Sequence, residues 1–404
     1  MNHFPAVRFL DRTTPPHIAT LILLAGMSAM AMNVFLPSLP GMAEYYQVDY
    51  AFMQLSVALY LGVNAAMQLF VGPLSDRYGR RPVLLWGTGL FCLATLGCVL
   101  APTGEIFMAF RMLQAVIAVA IVLSRAVVRD MYPQDKAASV MGYVTMGMSL
   151  VPMLAPALGG VLDTWFGWQA SFELLLICGI AVFALIWFDQ GETARHTGTP
   201  MKQQIKEYPE ILGSLRFWGY ALATALGSGA FFAYLGGGPY LGTEVFNIPT
   251  EKLGLWLATP GIGYFLGNFI SGRFSARFGV NRMVLSGTLI VTGGLLVAYG
   301  FSLTGNGTAI TFFGAMIFVG IGNGMTIPNA SAGMLSVRPH LAGTASGLGS
   351  TIMIGGGAAL SGFAGVILEG SSNDLPLMSL MTLVSALSVL CILYVIYRDK
   401  KLGG

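Results

Sequence analysis

"GPLSDRYGRRP", Gly72–Pro82, sets four charges and two glycines between two long runs that are almost wholly apolar. A basic knot in such surroundings needs a reason. The whole chain has 404 residues, 55% of them hydrophobic and only 10% charged, where a soluble protein carries roughly 25% charged residues. Crossing a hydrocarbon core of about 30 Å takes about 20 apolar residues as a helix. Only helices or closed barrels satisfy their backbone groups there. The runs are long and continuous, without the ten-residue alternation of barrel strands, so the composition predicts an all-α integral membrane protein.

Twelve spans are expected, near 17–38, 51–72, 83–101, 106–128, 137–162, 168–188, 217–238, 252–272, 282–302, 308–329, 341–368 and 375–397. Loop charge orients them, because cytoplasmic loops retain Lys and Arg. Alternate loops hold 18 of the 21 Lys and Arg, and Gly72–Pro82 is one of these loops. The opposite loops hold only Lys252, at a helix edge, while Arg111 and Arg125 fall within the fourth span. Both termini are therefore expected in the cytoplasm. The N-terminus shows no cleavable signal pattern, so the first span is expected to stay in the membrane. The longest polar stretch, 189–216, reads as a cytoplasmic linker between an N-terminal bundle, 1–188, and a C-terminal bundle, 217–404.

If the halves are related, the knot should recur. A shift of 200 residues aligns "GPLSDRYGRRPV" with "GRFSARFGVNRM" from Gly272, without a gap. Gly, Ser, Arg and Gly match, and Tyr78 faces Phe278. Asp76, Arg80 and Arg81 become Ala276, Val280 and Asn281, so the two copies differ electrostatically. Internal repeats of this kind are typical of secondary transporters, with the substrate site between the halves.

These residues resemble the major facilitator superfamily. Its loop between the second and third helices carries Gly-x-Leu-x-Asp-Arg-x-Gly-Arg-Arg, matched here by Gly72, Leu74, Asp76, Arg77, Gly79, Arg80 and Arg81. "RMLQAV" from Arg111 is similar to the fourth-helix motif of drug:proton antiporters. "GMSLVPMLAPALGG" (Gly147, Pro152, Pro156, Gly159, Gly160) is similar to their fifth-helix motif, with Ala155 where glycine is usual. "FLPSLP" from Phe35, the stretch from Gln54 through the knot, "SRAVVRDMY" from Ser124, and Pro239 with "EVFNIPTEKLG" resemble the Bcr/CflA drug-resistance subfamily. The resemblance implies twelve transmembrane helices in two pseudo-symmetric six-helix bundles. It also implies a bacterial cytoplasmic (inner) membrane location, and secondary active efflux of small amphipathic compounds or drugs by alternating access.

Several residues then acquire expected roles. In the knot, Gly79 permits a tight turn, Pro82 suits the first turn of the next helix, and Asp76 lies near that helix N-terminus. The resemblance implies a conformational latch of Gly72, Asp76, Arg77, Gly79, Arg80 and Arg81, joined by Arg129 and Asp130. The alternative is solvated loop charge that sets topology. Arg111, an intramembrane cation, needs a cavity or a partner, and the resemblance assigns it to proton coupling. Arg125 lies fourteen residues on, about four helical turns, and reads either as a second inward cation or as a side chain snorkelling to the interface. Many relatives carry an aspartate where this chain has Asn33, which cannot carry a proton. Glu173, the one acid inside an apolar run, is the substitute carrier, or else an interfacial residue.

With cations but few acids in the spans, neutral or anionic substrates are expected over lipophilic cations. Tyr60, Asn64 and Gln68 share one helix face, and Asn33, Gln114, Tyr143, Phe231, Tyr234, Trp256, Asn268, Asn323 and Asn329 are further cavity candidates. Each of them alone also reads as a helix–helix contact. Cys92, Cys98, Cys178 and Cys391 lie in apolar runs, and neither they nor the four histidines show disulfide or metal spacing. No Lys-Ser/Thr follows the Gly-rich runs, so ATP drive is not encoded. The expectation is a functional monomer in the lipid bilayer that handles a small molecule, binds no nucleic acid, needs no cofactor and draws on the proton gradient. Its rivals are an uncoupled facilitator or importer, and a non-transporting membrane sensor. An enzyme is not expected, because no acid/base or metal cluster lies in the spans.

Overall fold

The computed structural model describes residues 7–132, 150–194, 209–338 and 342–402, with the isolated positions 140, 144 and 148. Among these residues the regular structure is wholly helical. The first half holds α1 (Ile18–Asn33), α2 (Leu39–Tyr46), α3 (Tyr50–Tyr78), α4 (Arg80–Leu100), α5 (Gly104–Gln114), α6 (Ala118–Met131), α7 (Val151–Phe166) and α8 (Gln169–Asp189). The second half holds α9 (Leu215–Tyr240), α10 (Thr250–Leu257), α11 (Thr259–Phe278), α12 (Val280–Leu303), α13 (Ala309–Val337), α14 (Ala342–Leu368) and α15 (Leu375–Leu402).

Among the described residues, ten stretches are long and apolar enough to cross a membrane. Each corresponds to an expected span, although several run further than the apolar residues alone imply. The first continues through a 3-10 turn at Leu36–Ser38 to Tyr46, because Pro37 and Pro40 fall at helix starts, where proline is tolerated. Of the expected span 137–162, the described helix is α7. Helix α9 is long enough at 26 residues, but its many glycines and polar residues make it less apolar. Most of its side chains are buried against neighbours, so it presents little surface to lipid.

The repeat is visible in the backbone. Gly79 has φ 97° and ψ 154°, and Gly279 has φ 81° and ψ 158°; each donates its N–H to the serine four residues earlier at 2.9 Å. Each glycine ends one long helix and begins the next. Only glycine adopts this conformation without strain.

Within the first half, α4 packs on α5 and α8, α3 on α6, and α1 on α6, α7 and α8. Within the second, α13 packs on α11 and α12, while α9 packs on α14 and α15. The halves meet where α3 crosses α14 and where α7 lies on α10 and α11. Two ends can be told apart. The basic end carries the Gly79 and Gly279 turns; the far end carries Tyr50, Thr250 and Leu368.

Candidate functional site

The halves are held together toward the far end. Gln54 of α3 is buried and donates its amide to the carbonyl and hydroxyl of Ser361 on α14. It fits a slot formed by Gly236 and Gly365, where an added Cβ would collide with the amide. Tyr50 donates its hydroxyl to the Gly236 carbonyl at 2.9 Å. On the other flank, Gly254 of α10 rests on the Pro156 carbonyl, and Gly160 faces the Thr250 carbonyl. Gly159 abuts the carbonyl of Val34, the residue after α1, within its own half. The fifth-helix glycines therefore act as close-approach surfaces. Toward the middle, Ala358 faces Gly62 and Thr351 donates to the Ala65 carbonyl at 3.5 Å. From there to the basic end, no hydrogen bond or ion pair between the halves is found among the described residues. The hydrogen bonds and close approaches that join the halves among the described residues therefore lie at the far end and toward the middle.

Arg111 lies on the first-half side of this arrangement and is fully buried. Its Nε donates to the Ser56 carbonyl at 3.3 Å and Nη2 to the Ala31 carbonyl at 3.0 Å, while Nη1 reaches Gln114. The guanidinium also sits over the rings of Tyr60, 3.9 Å from the centroid, and Phe35, 4.3 Å. Gln114 is held in turn by Thr95, to which it donates at 2.8 Å. No carboxylate touches Arg111 among the described residues. Charge-assisted hydrogen bonds and desolvated rings, each worth about 2 kcal/mol, offset a burial penalty of several kcal/mol.

At the basic end, Arg80 is almost fully buried and pairs with Asp76 at 2.5 Å and Asp130 at 3.0 Å, and it also meets the Ser75 hydroxyl. Glu192 completes the knot. Its carboxylate accepts the backbone N–H of Arg80 at 2.9 Å and of Arg81 at 3.2 Å, an anion seated on the N-terminus of α4. Arg81 donates to the Trp187 carbonyl at 3.1 Å. Arg77 lies over Tyr78 and points outward. Gly72 has open space beside it. Arg129 is exposed and takes no part in the network. Among the described residues the partners of this network come from the first half and from the start of the linker, none from the second half.

The remaining candidates are scattered. Asn33 donates to the Ala29 carbonyl of its own helix at 2.7 Å. Gln68 donates to Asn64 at 2.9 Å, one turn from Tyr60. Tyr234 is fully buried among Phe312 and Phe313, with its hydroxyl on the Trp256 carbonyl; Trp256 itself is half-buried against Phe313. Phe231 is half-buried beside Phe232. Asn268 donates to the Tyr264 carbonyl, Asn329 to Ser271, and Asn323 keeps a buried, unpartnered oxygen. Glu173 is exposed on α8 and is not joined to Arg111. Its neighbour Phe172 packs at a tilt against Phe35, the ring beneath the guanidinium. Tyr143 and Gly147 lie outside the described residues, and the side chain of Pro152 is likewise not described. Gln54, Thr95 and Glu192 were not singled out from sequence. An acid at the start of the linker was the only available hint of Glu192. Among the described residues no group of His, Cys, Asp and Glu could hold a metal ion.

A sequence profile described as Major Facilitator Superfamily matches residues 21–362. The chain is 32% identical over 334 residues to a chloramphenicol resistance protein of Pseudomonas aeruginosa, covering 81% of this chain and 78% of that one. It is 30% identical over 368 residues to multidrug resistance protein D of Escherichia coli, covering 89% and 90%. A crystal structure of a D-xylose-proton symporter shares the fold with TM-score 0.72 at 15% identity, covering 93% of this chain and 95% of that one.

Proposed function

Because this chain belongs to the Major Facilitator Superfamily, we propose that it is a secondary active exporter of small amphipathic, neutral or anionic compounds, exchanging them for protons by alternating access. It is a transporter and not an enzyme, and a multi-pass protein of the bacterial inner membrane. The proposal takes the basic end as cytoplasmic, twelve spans, and two six-helix bundles at 1–188 and 217–404 joined by the linker 189–216. The relatives named for chloramphenicol and multidrug resistance support efflux of drug-like compounds. The observation that carries the reading is the packing between halves. Gln54 and the glycine contacts join the halves closely at the far end. Alternating access rocks one half against the other around a fixed site, so a close but small junction between the halves at one end is an arrangement it requires.

A second reading, uncoupled facilitation, is favoured by one observation: among the described residues Arg111 has no carboxylate partner, and Glu173 stands apart from it. Reconstituted vesicles decide between them. Adding substrate to protein-loaded vesicles should move protons, and Arg111→Ala or Glu173→Gln should reduce that movement. Substrate flux without any proton movement would leave the facilitator standing. Cells carrying the protein should also grow at higher concentrations of at least one compound in a drug panel than cells lacking it.

A further inference from the structure

The outer seam between α9 and α15 has no place in the scheme above. The two helices pack on each other and leave a groove of about 440 Å³ near the basic end. Leu215, Trp218 and Leu222 of α9 form one wall, and Leu387, Leu390 and Tyr394 of α15 form the other. Each set follows the helix period, so each makes one stripe. Four of these leucines and Tyr394 are exposed, and none of the lining residues is charged. Such a surface on two spanning helices lies against lipid chains. Gly219 brings the walls together, since a Cβ there would collide with Val395.

The groove leads to a cluster of cations. Trp218, with its indole N–H on the Leu212 carbonyl at 2.8 Å, and the exposed Tyr394 and Tyr397 mark the level where apolar chains give way to headgroups. The α15 stripe continues past Tyr394 to Arg398 and Lys401, at the same spacing. The acids nearby are taken. Asp399 pairs with Arg216 at 2.7 Å and accepts from Asn281 at 2.7 Å, and Glu210 pairs with Arg338 at 3.1 Å. Arg398, Lys400 and Lys401 make no ion pair among the described residues, and the Arg398 Nε is buried without a hydrogen-bond partner. A buried donor left unmade is costly, so a ligand that brings an acceptor to it is favoured.

We infer that this seam is a binding site for one anionic phospholipid of the bilayer. An acyl chain lies in the groove, and the headgroup phosphate meets Arg398 and Lys401. A guanidinium fork matches phosphate oxygens, and basic pockets where spanning helices end hold anionic headgroups. A choline headgroup shares the phosphate but adds a cation that these side chains repel. The inference goes beyond the efflux reading and stands whatever the protein transports.

The test uses the full-length protein in detergent and two lipids with the same acyl chains, phosphatidylglycerol and phosphatidylcholine. Mass spectrometry of the intact protein counts the lipid bound. Wild-type protein should bind one phosphatidylglycerol at least about tenfold more tightly than phosphatidylcholine. Arg398→Gln should lose most of that preference. Lys400→Gln removes the same charge off the stripe and should keep most of it. Leu390→Trp fills the groove from its exposed side and should weaken both lipids by a similar factor. These positions are exposed or unpaired, and an unchanged melting temperature checks that the fold is intact. Equal affinity for the two lipids in the wild type overturns the inference. So do equal losses in Arg398→Gln and Lys400→Gln, which mean diffuse charge, and lipid binding untouched by Leu390→Trp. A lipid-free dimer that Leu390→Trp dissociates also overturns it, since a second copy then fills the groove.

Discussion

At the scale of single residues, the two repeat glycines offer a matched comparison. Both Gly79 and Gly279 hold positive φ, a backbone region that costs a side chain about 1–3 kcal/mol. Beyond that shared strain they differ. A Cβ on Gly279 meets nothing within 4 Å, whereas one on Gly79 would collide with the Glu192 carboxylate. Gly279→Ala should therefore cost backbone strain alone. Gly79→Ala should also displace the anion from the α4 N-terminus, a further ~1 kcal/mol. Thermal melting of purified variants reads the difference, and equal losses at the two sites would refute it. In Glu192→Ala protein the extra cost of Gly79→Ala should vanish, since the two changes remove one contact. The turn itself was legible in sequence, because Gly-Arg-Arg-Pro between two apolar runs is a local signal. Glu192 was not, since nothing in "QGETAR" says that its carboxylate lies on a helix start 112 residues away.

At the scale of elements, the far-end seal depends on glycine facing an amide. Gln54 enters a slot that exists because Gly236 of α9 and Gly365 of α14 lack side chains. A methyl group in that slot would push α3 away from α9 and α14, and overpacking of this kind costs about 1–3 kcal/mol. The penalty falls only on the conformation in which the far end is closed, so it should shift the population toward the opposite one. Spin labels at Tyr78 and Phe278, on a background without the four native cysteines, span the basic end. Gly236→Ala should shorten that distance, and Gln54→Ala should do so to a smaller degree by removing the hydrogen bonds to Ser361. An unchanged distance in both variants would show that the slot does not hold the seal. Sequence reading passed over Gln54 for a physical reason. Its partner lies 307 positions away, and a lone amide in an apolar run has no periodicity to betray which neighbour it meets. The local patterns, by contrast, told most of the helices and the 200-residue repeat, because apolar runs and capping glycines act within one or two turns.

At the scale of the whole molecule, charge placement bears on what drives transport. The membrane-embedded part has a sealed Arg111, a second arginine at Arg125, and no carboxylate in contact with either among the described residues. An anionic cargo changes the energetics of such a device, because it carries charge across the membrane itself. An interior-negative potential is worth about 2.3 kcal/mol per charge per 100 mV, roughly a fortyfold gradient for each charge moved. With equal pH on both sides, an uncoupled carrier should therefore expel dansylglycine, an anion, to roughly that ratio and leave dansylglycinamide, its neutral amide, ungraded. A carrier that exchanges one proton per cycle should give the amide that ratio, and the anion its square until leak limits it. Potassium-loaded vesicles treated with valinomycin impose the potential, and dansyl fluorescence reads both gradients. In either case the anion should exceed the amide by the same factor. Equal gradients for the two probes would mean that the cargo charge does not cross with the cargo, and no gradient for either would exclude potential-driven export altogether.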